Sequence, residues 1–176
     1  MARQRLPKEL YRLVPALYPH LAEILVRSGL TGTVFFALSH VRHSGKELPD
    51  GMVGLPIADL KNILLKVGEY ESTSGAHGFI TNHLENSLKY LEHRTITPEE
   101  KKALFPESPG YRDVVVITPA GAGKLDEVNA KVDQLFQEVT GGLRGRVVTG
   151  LMKAFTPVAA TVIDKLESMS MNREES

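Results

Sequence analysis

Gly121, Gly123 and Lys124 close the stretch VVVITPAGAGK (114–124), an apolar run that turns through small residues to a lysine. Such a pattern invites phosphate chemistry. Glycines let backbone N–H groups approach the phosphates, the lysine reaches them, and a Ser or Thr hydroxyl after it ligates magnesium. Setting Gly123-Lys124 on that pattern puts Thr118 where the first glycine belongs and Leu125 where the hydroxyl belongs. Two essential positions fail. Thr118 suits a helix N-cap instead, and Pro119 suits the first helical position, where its missing N–H costs nothing. The stretch reads as a strand-to-helix junction.

Other chemistry-bearing residues lack partners in the sequence. There are six histidines, His20, His40, His43, His77, His83 and His93. His40 and His43 stand i, i+3 at a helix end, with Asp50 a nearby acid, and there is neither an HExxH pattern nor any cysteine. That is not the ligand spacing of a zinc site. No G-x-S-x-G elbow supports a serine nucleophile. No metal, cofactor or enzymatic activity is therefore expected.

The elements that would position these residues are mostly helical. Leu10, Leu13, Val14, Leu17, Leu21, Ile24 and Leu25 recur at helical spacing up to a terminal Gly29, with Pro15 and Pro19 predicting a kink or break. LTGTVFFALSHV (30–41) is apolar nearly all round and reads as a buried helix. Residues 42–54 read as loop, and 55–68 as a short helix with Pro56 near its start and Ile57, Leu60, Ile63 and Leu64 inward. After a polar linker (69–77), Asn82 followed by Glu85 predicts a capped helix running to Arg94 with Leu84, Leu88 and Leu91 inward. Thr95-Ile96-Thr97 and 111–117 read as strands of a hairpin with a long tip, 98–110. A helix from Pro119 to Gly141-Gly142 turns Leu125, Val128, Val132, Leu135, Phe136 and Val139 to one face, and an apolar segment follows at 143–169.

At 176 residues with balanced charge (21 basic, 21 acidic), the chain reads as a single domain, 1–176, with no bulk attraction for nucleic acid. Without a secretory signal or an apolar run long enough to span a bilayer, it is expected to be cytoplasmic. Local bases at 1–12 and 141–153 fit either phosphate-facing patches or solvated surface.

In SGLTGTVFFALSHV, GFITNHLENSLKYLEHRTI and YRDVVVITPAGAGKLDEV, in that order and spacing, the chain resembles the MarR family of bacterial transcription regulators. It departs at Thr95-Ile96-Thr97, where the family has Gly-Leu-Val, and at Arg112-Asp113, the reverse of the family's Asp-x-Arg. Residues 42–54 and 67–77 look like insertions. The resemblance implies a mainly α fold with a small β-hairpin wing: a winged helix-turn-helix core at 30–118, with helical dimerisation regions at 1–29 and 119–176. It also implies a homodimer on double-stranded DNA, released by a small apolar or phenolic effector. Under it, the face of the capped helix away from the leucines carries His83, Asn86, Ser87 and Tyr90 toward base edges, Asn86 toward adenine N6 and N7. Lys101, Lys102 and Arg112 are the wing's candidates for phosphate or minor-groove contact. The alternatives stay open. The same polar row fits any solvated helix face. Five bases against six acids over 72–117 fit a winged-helix module for protein–protein assembly as well as one for DNA.

Overall fold

The computed structural model describes residues 8–107 and 112–140; the apolar segment expected at 143–169, the basic stretch at 141–153 and the first seven residues of that at 1–12 lie outside the described residues. The chain divides into two compact units, Met1–Val132 and Asp133–Ser176, the second contributing the last turns of one long helix.

The first unit opens with α1 (Lys8–Arg27) and α2 (Gly32–Ser44). No break interrupts α1 at its two prolines. They are four residues apart, so the backbone bonds they remove lie on the same side of the helix, and the ladder elsewhere carries it through. Gly29 ends the helix in the left-handed region (φ 68°), and the Leu30 N–H reaches back to the Leu25 carbonyl at 2.9 Å. That is the glycine-terminated closure expected there. Thr31 caps α2, its hydroxyl accepting from the Val34 N–H at 3.2 Å. Val34, Ala37, Leu38 and Val41 of α2 are fully enclosed.

Of the segment expected as loop at 42–54, residues 42–44 finish α2 and the rest enters a small hairpin, β1 (Lys46–Glu47) and β2 (Val53–Pro56). Its strands, two and four residues long, are too short to show the alternation that marks a strand. Helix α3 (Ile57–Lys66) follows, with Ile57, Leu60 and Leu64 buried as the spacing predicts. After a turn at Gly68 (φ 75°), the next helix begins at α4 (Thr73–Gly78) and widens into a π-helical segment, Phe79–Ser87. Chain direction then reverses at Lys89 (φ 55°) into β3 (Leu91–Thr95). Helix α5 (Pro98–Leu104) precedes β4 (Asp113–Ile117), and α6 (Pro119–Thr140) closes the described chain.

All four strands form one antiparallel sheet in the order β1-β2-β4-β3. The expected two-stranded wing is thus the β3–β4 half of a larger sheet. β4 explains the continuous apolar run at its centre: Val115 and Ile117 enter the main core, while Val114 and Val116 enter a second cluster with Leu48, Ile96 and Phe105. Successive side chains point to opposite faces, so a strand buried on both sides reads as unbroken hydrophobic sequence. The main core joins α2, α3, the helix at 73–87, the sheet and the first three turns of α6.

Candidate functional site

The glycine-rich junction proves to be structural. The Thr118 hydroxyl accepts from the Gly121 N–H at 3.1 Å and donates to the Lys89 carbonyl at 2.7 Å, while the Thr118 N–H bonds the Tyr90 carbonyl at 3.0 Å. A Cβ on Gly121 would lie 2.3 Å from that carbonyl oxygen. Glycine is needed because α6 starts against the backbone that leaves the preceding helix. Lys124 donates to Glu127 at 2.7 Å, turned along α6. The residues that looked like a phosphate cradle tie the start of α6 to the Lys89–Tyr90 turn that follows the helix at 73–87.

That helix starts earlier than Asn82. Its cap is Ser72, whose hydroxyl accepts from the Gly75 N–H at 3.1 Å; Asn82 lies inside the π segment. Glycines and small polar residues at 72–78 carry no apolar period, so the first turns read as linker. Within the π segment the bonding is i→i+5: Leu88 N–H reaches the His83 carbonyl at 2.9 Å. The Ser87 hydroxyl donates to the Asn82 carbonyl at 2.7 Å. A π register over so many residues is rare and widens the coil. It still buries Ile80 and Leu84 on one side and leaves Asn82, His83, Asn86 and Ser87 exposed on the other.

The expected helix to Arg94 therefore ends at Ser87. Leu88 and Leu91 keep a three-residue spacing that imitates a helical face, but Lys89 has turned the chain and Leu91 is buried as a strand residue opposite Ile117. Tyr90 consequently does not share the row of His83, Asn86 and Ser87. It is half-buried, packed against the core, and its N–H bonds the Leu84 carbonyl at 2.9 Å. His83 stacks obliquely on Phe79, ring centres 5.6 Å apart. The early start also exposes Thr73, Ser74 and His77 in the first turns, three residues the linker reading passed over. The only sequence signal for them was a capping serine with no apolar run behind it.

The hairpin tip expected at 98–110 holds α5. Thr97, expected in a strand, is its N-cap: the Thr97 hydroxyl accepts from the Glu100 N–H at 3.1 Å and the Glu100 carboxylate accepts from the Thr97 N–H at 2.8 Å. This T-x-x-E box was present in the sequence. Lys102 is exposed and Lys101 half-exposed on α5, and Arg112 is exposed at the foot of β4. Helix α5 is anchored by Leu104 and Phe105 against Leu48 and Met52 of the inserted hairpin.

Carboxylates occupy much of the wing. Arg94 is bonded to Asp50 and, at 3.0 Å, to Glu92. His93 lies 3.2 Å from Asp113, which also accepts from the Thr95 hydroxyl at 3.0 Å. These bonds, His93 first, hold the Asp113 carboxyl below its ordinary range. Lys101, Lys102 and Arg112 remain as the wing's outward cations, with Glu99, Glu100 and Glu107 around them. A cleft of about 600 Å³ opens between α5 and the α2–β1 and β2–α3 turns, lined by Lys46, Leu55, Asp59, Leu104 and Phe105. Among the described residues no cluster of His, Asp or Glu could hold a metal, and no single helix is long and apolar enough to cross a membrane.

No family model matches the sequence, and no curated protein matches it either. Solved structures do. A mutant MarR from E. coli is similar at 20% identity with a TM-score of 0.54, covering 89% of this chain and 99% of that one. A MarR-family transcriptional regulator from Silicibacter pomeroyi is similar at 16% identity and a TM-score of 0.52, covering 87% and 86%. A MepR mutant from S. aureus, bound to an oligodeoxyribonucleotide, is similar at 12% identity and a TM-score of 0.54, covering 90% and 99%. The fold is that of these regulators: mainly helical, with a small antiparallel sheet in the wing.

Proposed function

We propose that this chain, which has the winged-helix fold of the MarR-family regulators, is a DNA-binding transcription regulator acting as a homodimer. The observation that carries the reading is the helix at 73–87. It is held by its apolar side and turns His83, Asn86 and Ser87 outward, beside a wing. A polar helix face of this kind enters the major groove, with side-chain amides reading base edges. Asn86 pairs with one base, His83 and Ser87 contact bases or phosphate, and the early-starting first turns add Ser74 and His77. Lys101, Lys102 and Arg112 contact phosphates without reading sequence. Tyr90, half-buried past the end of the helix, is a weaker candidate than the sequence alone made it.

Dimerisation gathers two copies of the reading helix. Exposed apolar side chains on α1 (Tyr18, 70%; Val26, 75%) and on α6 (Phe136, 39%; Val139, 57%) support it. Two such helices read half-sites about one helical turn apart, roughly 10 base pairs centre to centre. An apolar or phenolic effector releases the DNA in this reading. None of the residues lining the cleft beside α5 belongs to α1 or α6, so an effector site near the dimer helices is separate from it.

The acidic wing supports a second reading, a winged-helix module for protein assembly. Footprinting on a bound genomic fragment separates the two. Two protected major-groove patches about 10 base pairs apart are expected; absence of any protection at low salt favours assembly.

A further inference from the structure

Glu85 lies in the middle of the proposed reading helix, off its exposed polar row. The residue is half-buried, and its Oε1 is shielded from solvent with no hydrogen-bond donor. A buried carboxylate oxygen without a donor forfeits the hydration it had in the unfolded chain. Its neighbours on either side are the same type of residue. His77 lies earlier on the same helix, and His93 lies on β3, the strand on which the helix packs. His93 is tied in turn to Asp113 of β4, while Arg94 of the same strand is occupied by Asp50 and Glu92.

Burial is the larger influence and pushes the Glu85 carboxyl above its ordinary range; the two imidazoles pull it down only when they are charged. With Glu85 ionised, the packed helix carries a charge whose Oε1 has no donor among the described residues. Acid relieves it by protonating the carboxylate itself.

We propose that Glu85 makes the packing of the helix at 73–87 against wing strand β3 proton-dependent, with acid favouring the packed form. A group whose folded-state pKa is raised adds stability at low pH and loses it as pH rises through that value. On the DNA-binding reading above, on which this consequence alone rests, affinity for DNA falls as pH rises because the reading face is less firmly held.

Urea unfolding of the full chain tests the packing itself. Glu85→Gln keeps the shape and removes the charge. Its midpoint is expected above that of the wild type near pH ~8, with the gap narrowing toward pH ~5. A gap that is absent, reversed or the same at both pH values overturns the proposal. Carbon-13 NMR titration of the wild-type Glu85 carboxyl is the second arm, needing no variant. Titration above the ordinary glutamate range supports the proposal, and titration at or below it refutes it. DNA binding across the same pH span is expected to weaken several-fold more in the wild type than in Glu85→Gln. If neither binds DNA at any pH, the DNA reading fails while the first two arms still judge Glu85.

Discussion

Four residues bear different kinds of consequence. Asn86 is exposed on the reading helix, and a side-chain amide that pairs with a base supplies sequence discrimination. Asn86→Ala is expected to cost about 1–3 kcal/mol on the preferred site and to relax preference at one base pair, measured by competition titration. Lys102→Ala should weaken all duplexes alike and lower the salt slope by about one. Gly121 is expected to be intolerant for a packing reason. A methyl at Gly121→Ala would meet the Tyr90 carbonyl oxygen at 2.3 Å. Backbone on both sides cannot yield as a flexible side chain can, so the chain should lose about 1–3 kcal/mol in urea unfolding. Glu127 sets an acid limit. Its bonds to Lys124 and Lys131 hold its pKa at about 2, down from 4.5. A depressed pKa contributes stability above the unfolded value that is lost as pH falls through the folded one. Glu127→Gln should therefore reduce the loss of stability between pH 4.5 and about 2 in acid unfolding.

At the level of elements, the wing departs furthest from its sequence reading. A tip that reads as loop is a capped helix pinned by Leu104 and Phe105 to the inserted β1–β2 hairpin. Thr97→Ala removes the cap and is expected to destabilise α5 by about 1 kcal/mol. Faster amide exchange at 98–104 with little change at α3 is the expected readout. What the sequence made legible follows from strong periodicity. Leu60 and Leu64 of α3 and the Thr118 cap before Leu125 and Val128 lie as their spacing predicts, while α2, expected buried nearly all round, encloses Val34, Ala37, Leu38 and Val41. What it concealed has physical causes too. The reading helix begins among Ser72, Thr73, Ser74 and Gly75, where no apolar residue marks a face. Its end was hidden because Leu88 and Leu91 continue a helical spacing across a reversal that Lys89 makes in the left-handed region. The polar row of His83, Asn86 and Ser87 survives because Ile80 and Leu84 fix the opposite side, whichever register the coil takes.

For the whole molecule, the account requires two copies acting together on a duplex. Apolar side chains left exposed on α1 and α6 are expected to be covered by a second copy, so sedimentation at micromolar concentration should show a dimer. The formal charge is zero, so binding must come from local cations on the wing and their dimer mates. The most direct test is a titration of duplex genomic fragments with the full chain at low and moderate salt. Phosphate contacts release counterions, so affinity should fall steeply with salt while one class of fragment stays bound above the rest. If no fragment is bound better than bulk DNA even at low salt, the regulator reading is contradicted, and the fold serves another partner.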